Sequence, residues 1–149
     1  MSEHKGLYKF NKTSGEIEPF KFANDRKYIA VGVPGAYTPT CTDEHLPGFA
    51  KAMADGKLPG WGVVFFAVND AITMSRWNDD HGSPAIECLA DDQAFYSMKN
   101  NVAADYGVTF GTRTNRCAFI IEYEKVSYVF KDPMIEGVLE EIKSVDSVQ

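Results

Sequence analysis

Two nearly continuous apolar runs constrain the fold of this chain more than any other feature. They extend from Tyr28 to Val33 and from Gly62 to Val68. Apolar runs of this length, bounded by turn residues and lacking polar alternation, are typical of strands buried on both faces of a sheet. From Cys41 the intervening segment has helical periodicity, which Pro47-Gly48 is expected to kink or split. The sequence therefore predicts a strand, a helix and a second strand.

The chain beyond these runs continues the alternation of helices and strands. Asn69 or Asp70 is predicted to cap a helix that reaches about residue 77. A later helix is predicted to open at residue 91 and to end at Gly107, which is placed to adopt the left-handed conformation. Four apolar residues at helical spacing favour this later helix: Phe95, Met98, Val102 and Tyr106.

The remaining segments complete an α/β architecture. Further strands are predicted at residues 85–90, 117–122 and 126–131. A loop is predicted at residues 110–115, and a turn at Glu124-Lys125. An amphipathic helix follows Asp132-Pro133; its apolar residues are Met134, Ile135, Val138, Leu139, Ile142 and Val145. Residues 9–22 are predicted to form a hairpin-like segment over a sheet edge. The whole chain, residues 1–149, is thus predicted to be one α/β domain with a mixed central sheet flanked by helices.

Composition and charge exclude several classes of partner. A length of 149 residues is enough to bury a core without disulfides or a metal. The formal net charge is −6, and there is no cluster of Lys and Arg of the kind that binds nucleic acid, so no nucleic-acid partner is expected. Neither a membrane span nor a signal peptide is indicated. We expect a soluble, cytoplasmic protein without a metal or another cofactor.

One of the three cysteines has a distinctive setting. Cys41, Cys88 and Cys117 are widely spaced and form no C-x-x-C pair, which is not the pattern of a disulfide scaffold or a zinc site. Cys41 lies within GVPGAYTPTCTDEHLPG, at the predicted start of a helix with Thr40 and Thr42 as candidate caps. Free amides and the helix macrodipole favour a thiolate at such a position. Cys41 is therefore predicted to be a reactive nucleophile.

The residues around Cys41 resemble the active-site motif of peroxiredoxins. Pro34, Thr38 and Cys41 match P-x-x-x-T-x-x-C, and VPGAYTPTC followed by HLPGF is similar to the type II, or peroxiredoxin-5-like, subfamily. Further matches occur in the same order along the chain, at Val68-Asn69-Asp70, Leu89-Ala90-Asp91 and residues 111–116. The resemblance implies a thioredoxin-like sandwich. It also implies a thiol-dependent peroxidase that acts on hydrogen peroxide and small alkyl hydroperoxides in antioxidant defence and cell redox homeostasis.

The resemblance assigns roles to four residues. Cys41 would be the peroxidatic nucleophile, oxidised to a sulfenic acid as water or an alcohol leaves. The Thr38 hydroxyl and the Cys41 backbone N–H would bind the thiolate and the peroxide, and Pro34 would shield the pocket. Arg116, directly before an apolar strand, would stabilise the thiolate and hold a peroxide oxygen.

Neighbouring residues have more than one interpretation. Arg113 competes with Arg116 for the active-site role, and otherwise supports the pocket or is solvated. His45 is either a catalytic base or a structural residue, because a thiolate that is already formed needs no base. Thr38 itself has the alternative role of a turn or cap residue. Among the aromatic residues, Tyr37 and Phe49 are interpreted as pocket-wall or dimer-contact residues. Trp77 is interpreted as a packing residue.

The positions of the cysteines bear on how the oxidised protein is reduced. Some relatives resolve the sulfenic acid with a second cysteine in a C-terminal segment or in the strand that is GVVFFAV here, and neither position holds cysteine in this chain. This favours a one-cysteine mechanism with an external thiol as reductant, either glutathione with glutaredoxin or thioredoxin. Cys88 and Cys117 are weaker candidates for a resolving role, because their predicted places in strands suit buried packing.

Two other functions remain open from the sequence. A non-enzymatic redox sensor or thiol relay needs the same activated thiolate, so turnover with a reductant is what distinguishes it. A binding module with an inert cysteine is expected to lack Pro34, Thr38 or Arg116, and all three are present. The resemblance further implies a homodimer through the surface beside the active-site loop. A clean monomer at micromolar concentration in size-exclusion chromatography would contradict it.

Overall fold

The computed structural model describes residues 6–148, with side chains described through residue 144. In chain order the elements are β1 (Tyr8–Asn11), β2 (Glu16–Pro19), β3 (Lys27–Gly32), a π-helical turn (Cys41–His45), α1 (Leu46–Ala54), β4 (Trp61–Ala67), α2 (Ala71–His81), β5 (Ile86–Ala90), α3 (Phe95–Lys99), β6 (Ala103–Asp105), β7 (Thr112–Thr114), β8 (Cys117–Glu122), β9 (Lys125–Val129) and α4 (Ile135–Val148). Seven strands form one sheet in the order β2-β1-β5-β4-β3-β8-β9, and β6 pairs with β7 apart from it.

The two apolar runs form neighbouring parallel strands, β3 and β4, at the centre of the sheet. β4 is also parallel to β5, whereas β8 is antiparallel to β3, so the predicted mixed sheet is confirmed. Alternate residues of β3 face two different cores. Ile29 and Val31 face α1, α2 and α4, whereas Ala30 faces α3 and the segment at residues 20–28. Each fully buried aliphatic or aromatic side chain of this kind stabilises the fold by roughly 1.5–3 kcal/mol.

The N-terminal hairpin predicted at a sheet edge is confirmed. β1 and β2 pair antiparallel, and β1 pairs with β5. The Asn11 side-chain oxygen accepts hydrogen bonds from the N–H groups of Thr13 and Ser14, at 3.0 and 3.1 Å. Gly15 completes the turn with a φ of +77°, which a glycine adopts without strain. The turn chemistry in the sequence therefore sets the position of the hairpin.

The long helix predicted from residue 91 to Gly107 is wrong. Only Phe95–Lys99 is helical, and residues 103–105 pair instead with residues 112–114, part of a segment that was predicted to be a loop. The helix stops at the Asn100-Asn101 pair, where Asn101 has a φ of +59°. Asparagine tolerates this left-handed conformation, which ends helices.

Smaller corrections concern the C-terminal part of the chain. The turn between β8 and β9 is formed by Tyr123 and Glu124, both with positive φ, and not by Glu124-Lys125. Val126 is exposed, so the alternation predicted for β9 does not bury every second residue. Val138 and Ile142 of α4 are buried as predicted, whereas the side chain of Val145 lies outside the described residues. No helix within residues 6–148 is long and apolar enough to cross a membrane.

Candidate active site

The loop before Cys41, residues 34–38 and called the cysteine loop below, leads into a helix that is irregular at its start. Helical geometry begins at Pro39, passes through the π-helical turn at Cys41–His45, and continues as α1. The Leu46 N–H donates to the Cys41 carbonyl, five residues earlier. Pro47 has no N–H, and its ring crowds the carbonyl that a regular α-turn would bring close, so the wider turn precedes it. The predicted interruption at Pro47-Gly48 takes this form.

The predicted helix caps, Thr40 and Thr42, are wrong. Thr40 already has helical dihedral angles and its side chain makes no capping hydrogen bond. The Thr42 hydroxyl accepts a hydrogen bond from Trp77 Nε1 at 3.0 Å, which ties the turn to α2. The helix starts instead from Thr38, whose carbonyl accepts a hydrogen bond from the Thr42 N–H at 2.9 Å. Cys41 is therefore in the first turn, where backbone N–H groups lack intrahelical acceptors.

Cys41 is buried and contacts Arg116, the residue directly before β8. Arg116 Nη2 donates to Cys41 Sγ at 3.2 Å. Arg116 Nη1 lies 2.7 Å from His45 Nδ1, and His45 Nε2 lies 2.8 Å from the Pro133 carbonyl oxygen. A guanidinium only donates and a carbonyl only accepts, so Nδ1 is the acceptor and Nε2 carries the proton. His45 therefore links the arginine to the segment that precedes α4.

The protonation state of His45 follows from its environment. Burial lowers the pKa of His45 to about 4, and the charge of Arg116 acts in the same direction, although the hydrogen bond to Pro133 opposes both. The imidazole is therefore neutral at neutral pH. Both of its nitrogens are engaged in hydrogen bonds, so neither is free to take a proton from a substrate.

This arrangement predicts a loss of stability in acid that depends on His45. The unfolded chain has the ordinary histidine pKa of 6.5 and takes up a proton as the pH falls, whereas the folded state resists protonation until about 4. The stabilisation is present in full above pH 6.5 and is lost between 6.5 and 4, for a total of about 3 kcal/mol. Urea unfolding at pH 7 and pH 4.5 checks this. In His45→Asn the difference in unfolding free energy between these two pH values is expected to shrink by about 2.4 kcal/mol, most of that total, and an unchanged difference would contradict the prediction.

The loop before Cys41 is held by several hydrogen bonds. The Thr38 hydroxyl donates to the Gly35 carbonyl at 2.7 Å, and the Ala36 N–H donates to Asn69 Oδ1 at 3.0 Å. Tyr37 has a φ of +64°, and its hydroxyl donates to Asp80 at 2.8 Å. Asn69 was considered only as a helix cap from the sequence, yet Asp70 caps α2 and Asn69 holds the loop. The match at Val68-Asn69-Asp70 was the available signal for this role.

The two candidate arginines occupy different environments. Arg113 donates to the carbonyl oxygens of Val68 and Phe110, at 3.1 and 2.9 Å. Its guanidinium lies over the Phe110 ring, 5.6 Å from the ring centre. A Cβ added to Gly35 would lie 3.4 Å from Arg113 Nη1, so this side chain abuts the cysteine loop. Arg116 reaches the sulfur, whereas Arg113 braces the surrounding backbone.

Cys88 lies in β5 and belongs to the same core as Cys41, whereas Cys117 belongs to the other core. All three thiols are free. Cys117 packs against the core on the opposite face of the sheet from Cys41. Burial raises the pKa of Cys117 to about 11, and it raises the pKa of Cys88 strongly, with Glu87 adding to the effect. Both side chains are therefore thiols at neutral pH, and a thiol is a poor nucleophile.

The remaining candidates are distributed between core and surface. Pro34 is half-buried at the start of the loop, Phe49 is fully buried against His45, and Tyr37 is exposed. A cleft of about 440 Å³ lies elsewhere, between β1, α2 and β5, and Cys88 is the only candidate site residue that lines it. Across the described residues, no group of three or more His, Cys, Asp or Glu side chains is arranged to hold a metal ion.

Comparison with known proteins gives consistent matches over most of the chain. The redoxin family model matches residues 9–148. The chain is 35% identical over 117 residues to a putative peroxisomal peroxiredoxin of Lipomyces kononenkoae, which covers 76% of this chain and 69% of that protein. It is 33% identical over 112 residues to the putative peroxiredoxin prxA of Emericella nidulans, which covers 73% of this chain and 64% of that protein.

A solved structure extends the match to the whole fold. Reduced Prx3 of Vibrio vulnificus, in complex with hydrogen peroxide, superposes with a TM-score of 0.82 at 26% identity, covering 95% of this chain and 96% of that chain. The predicted thioredoxin-like arrangement is thereby confirmed. The chain belongs to the redoxin family, and within it to the peroxiredoxins, which are thiol-dependent peroxidases.

Proposed function

We propose that this peroxiredoxin reduces hydrogen peroxide and small alkyl hydroperoxides through a Cys41 sulfenic acid, and that it serves antioxidant defence and cell redox homeostasis. The observation that carries the proposal is the 3.2 Å contact between Arg116 Nη2 and the buried Cys41 Sγ. A guanidinium stays cationic, and its attraction to a thiolate is stronger where water is excluded. The complex of the Vibrio vulnificus protein with hydrogen peroxide supports the same substrate class.

The proposed chemical step is a displacement on oxygen. The Cys41 thiolate attacks the terminal oxygen of the peroxide, so an S–O bond forms as the O–O bond breaks, and two electrons pass from sulfur to the peroxide. The departing oxygen takes up a proton and leaves as water or an alcohol. Arg116 and the Cys41 N–H donate toward the charge that develops on oxygen. The Thr38 hydroxyl donates its hydrogen bond to the Gly35 carbonyl, so the Thr38 oxygen serves as an acceptor for the peroxide O–H.

We propose that the oxidised protein is reduced by a one-cysteine route. An external thiol attacks the sulfenic acid, releasing water and forming a mixed disulfide, and a second thiol then displaces Cys41. The burial and protonation of Cys88 and Cys117 support an external reductant, which we infer to be glutathione with glutaredoxin, or thioredoxin. Because Cys41 is buried, the loop at residues 34–38 has to move before a protein reductant reaches the sulfur.

Mass spectrometry with a double variant tests the one-cysteine route. Wild type and Cys88→Ser/Cys117→Ser are treated with one equivalent of hydrogen peroxide and then with glutathione, and their intact masses are measured. Both proteins are expected to gain one glutathione on Cys41. A loss of two hydrogens in wild type that is absent from the double variant would show an internal disulfide and contradict the route. NADPH-coupled turnover then compares the two reductant systems, and no turnover with either would favour a redox sensor.

Two further inferences concern assembly and location. We infer a homodimer that forms beside the cysteine loop, because Tyr37, Val108 and Phe110 present exposed apolar surface. A cytoplasmic location stays a prediction, since the Lipomyces relative is described as peroxisomal.

A further inference from the structure

We propose that a buried hydrogen-bond chain from Asp91 through Ser97 to Thr114 positions Arg116, and so sets how strongly its guanidinium holds the Cys41 thiolate. The inference rests on the role proposed above for Arg116. Asp91, Ser97 and Thr114 are all buried, and their side-chain hydrogen bonds join one another. They connect α3 to the end of β7, two residues before the arginine.

The direction of each hydrogen bond that joins Asp91, Ser97 and Thr114 is fixed by chemistry. The two carboxylate oxygens of Asp91 accept from the N–H groups of Tyr96 and Ser97, at 3.0 and 2.7 Å. The Ser97 hydroxyl also lies 2.7 Å from Asp91 Oδ2, and 2.7 Å from Thr114 Oγ1. A carboxylate only accepts, so the single hydroxyl proton of Ser97 goes to Asp91. Thr114 must therefore be the donor to Ser97, which fixes the orientation of the Thr114 side chain.

Thr114 is also confined from its other side. A Cβ added to Gly32 would lie 2.7 Å from Thr114 Cγ2, closer than real Cβ contacts allow. The methyl group of Thr114 thus packs directly on the backbone of Gly32, the last residue of β3 before the cysteine loop. Its hydroxyl points to Ser97, so the side chain is wedged between the central sheet and α3. Neither a rotation nor a shift is possible without breaking one of the two contacts.

Besides Thr114, the strand β7 is tied to the rest of the fold by Arg113, which donates to the Val68 carbonyl at 3.1 Å. β6 and β7 pair through three residues each, apart from the main sheet. An isolated two-stranded hairpin is marginally stable at best in water. The Asn115 N–H donates to the Val102 carbonyl at 2.7 Å, which is a contact within the same region. The link from Thr114 to Ser97 and Asp91 therefore anchors this hairpin to the core.

Arg116 lies between two fixed points. Thr114 is held by the buried chain, and Cys117 pairs with Gly32 in the sheet. Displacement of Thr114 therefore shifts the backbone from which the guanidinium reaches Sγ and His45. A misplacement of about 1 Å in a catalytic group can cost about a hundredfold in rate. We expect Thr114→Val, which keeps the shape but removes the hydroxyl, to slow the oxidation of Cys41 by hydrogen peroxide about tenfold at pH 7.

The test compares variants that distinguish loss of the hydrogen bond between Thr114 and Ser97 from a general disturbance of the core. The rate constant of Cys41 oxidation is measured from pH 5 to pH 9 for Thr114→Val, Ser97→Ala and Thr114→Ser. Ile86→Val serves as a control, because Ile86 lies in the core and takes no part in these hydrogen bonds. Thr114→Val and Ser97→Ala are expected to be slower and to have rate profiles displaced to higher pH. Ile86→Val is expected to keep the wild-type profile, and Thr114→Ser, which keeps the hydroxyl but loses the methyl contact with Gly32, is expected to be impaired less than Thr114→Val. If Thr114→Val does not fold, Ser97→Ala provides the same comparison.

A double-mutant cycle identifies the residue through which Thr114 acts. Thr114→Val is expected to cost less than about twofold in an Arg116→Met background, because the group that it positions is already absent. The proposal is overturned if Thr114→Val keeps the wild-type profile, if Thr114→Ser is as impaired as Thr114→Val, or if the tenfold loss persists without Arg116. A failure of Arg116→Met to slow the otherwise unaltered protein would instead contradict the proposed function, so the two failures are distinguishable.

Discussion

Replacement of Cys41 by serine is expected to lower peroxide turnover by at least about a thousandfold, to the level of the uncatalysed reaction. A serine hydroxyl remains protonated at neutral pH and cannot accept the peroxide oxygen as sulfur does. The other contacts of the site, from Arg116 and the loop, are retained in this variant but have no nucleophile to assist. Turnover is measured as NADPH consumption coupled to the reductant system.

The other two cysteines are matched controls for this experiment. Cys88→Ser and Cys117→Ser each place a hydroxyl at a buried thiol position, so they test whether loss of any cysteine impairs the protein. Both are expected to keep turnover within about threefold of wild type, with some loss of stability from burying a hydroxyl. Comparable inactivation in either control would contradict the assignment of Cys41 as the one essential thiol.

Replacement of Arg116 by methionine is expected to produce the second-largest effect. Methionine keeps much of the apolar volume but removes the charge and the N–H donors near Sγ. Loss of a donor that stabilises developing charge costs about a hundredfold to a thousandfold in rate. The pH profile of Cys41 oxidation should also move to higher pH, because the thiolate loses its cationic partner. Stopped-flow oxidation of the reduced protein measures both quantities.

Arg113→Met separates the proposed role of Arg116 from a general need for positive charge. Arg113 bonds to the carbonyl oxygens of Val68 and Phe110 and not to the sulfur. Its removal should loosen the loop and lower the rate by a smaller factor, without moving the pH profile. A larger effect from Arg113→Met than from Arg116→Met would reverse the assignment of the two arginines.

The central strands were predictable because burial on both faces leaves a direct trace in the sequence. Tyr28 to Val33 and Gly62 to Val68 are nearly free of polar residues, and the observed strands begin and end within one residue of these bounds. The edge hairpin was predictable for a different reason, since Asn11 and Gly15 supply specific turn chemistry. In each case a local physical cause was sufficient.

The helix beyond residue 91 could not be predicted from spacing alone. Phe95 and Met98 fall at helical intervals, but they are 39% and 49% exposed, so their periodicity does not mark a buried face. The Asn100-Asn101 pair was the stronger local signal. The short strands that follow are stabilised by pairing with residues seven to eleven positions away and by the buried contacts of Thr114, and no local pattern contains that information.

The site was predictable only as far as the resemblance to a family extended. The motif indicated Pro34, Thr38, Cys41 and Arg116, but it did not reveal that His45 bonds to the Pro133 carbonyl, 88 residues away. Whether histidine acts as a base or as a structural residue depends on its burial and on both hydrogen bonds of the ring. These are properties of the folded chain, as is the brace that Arg113 forms.

The most direct test of the account is to trap the product of the first chemical step. Fully reduced wild type and Cys41→Ser are mixed for a few seconds with one equivalent of hydrogen peroxide and a sulfenic-acid trap, and the adduct is located by peptide mass spectrometry. The account predicts one trap adduct on Cys41 of wild type and none on the variant. An unchanged wild-type mass, or an adduct located on Cys88 or Cys117, would contradict it.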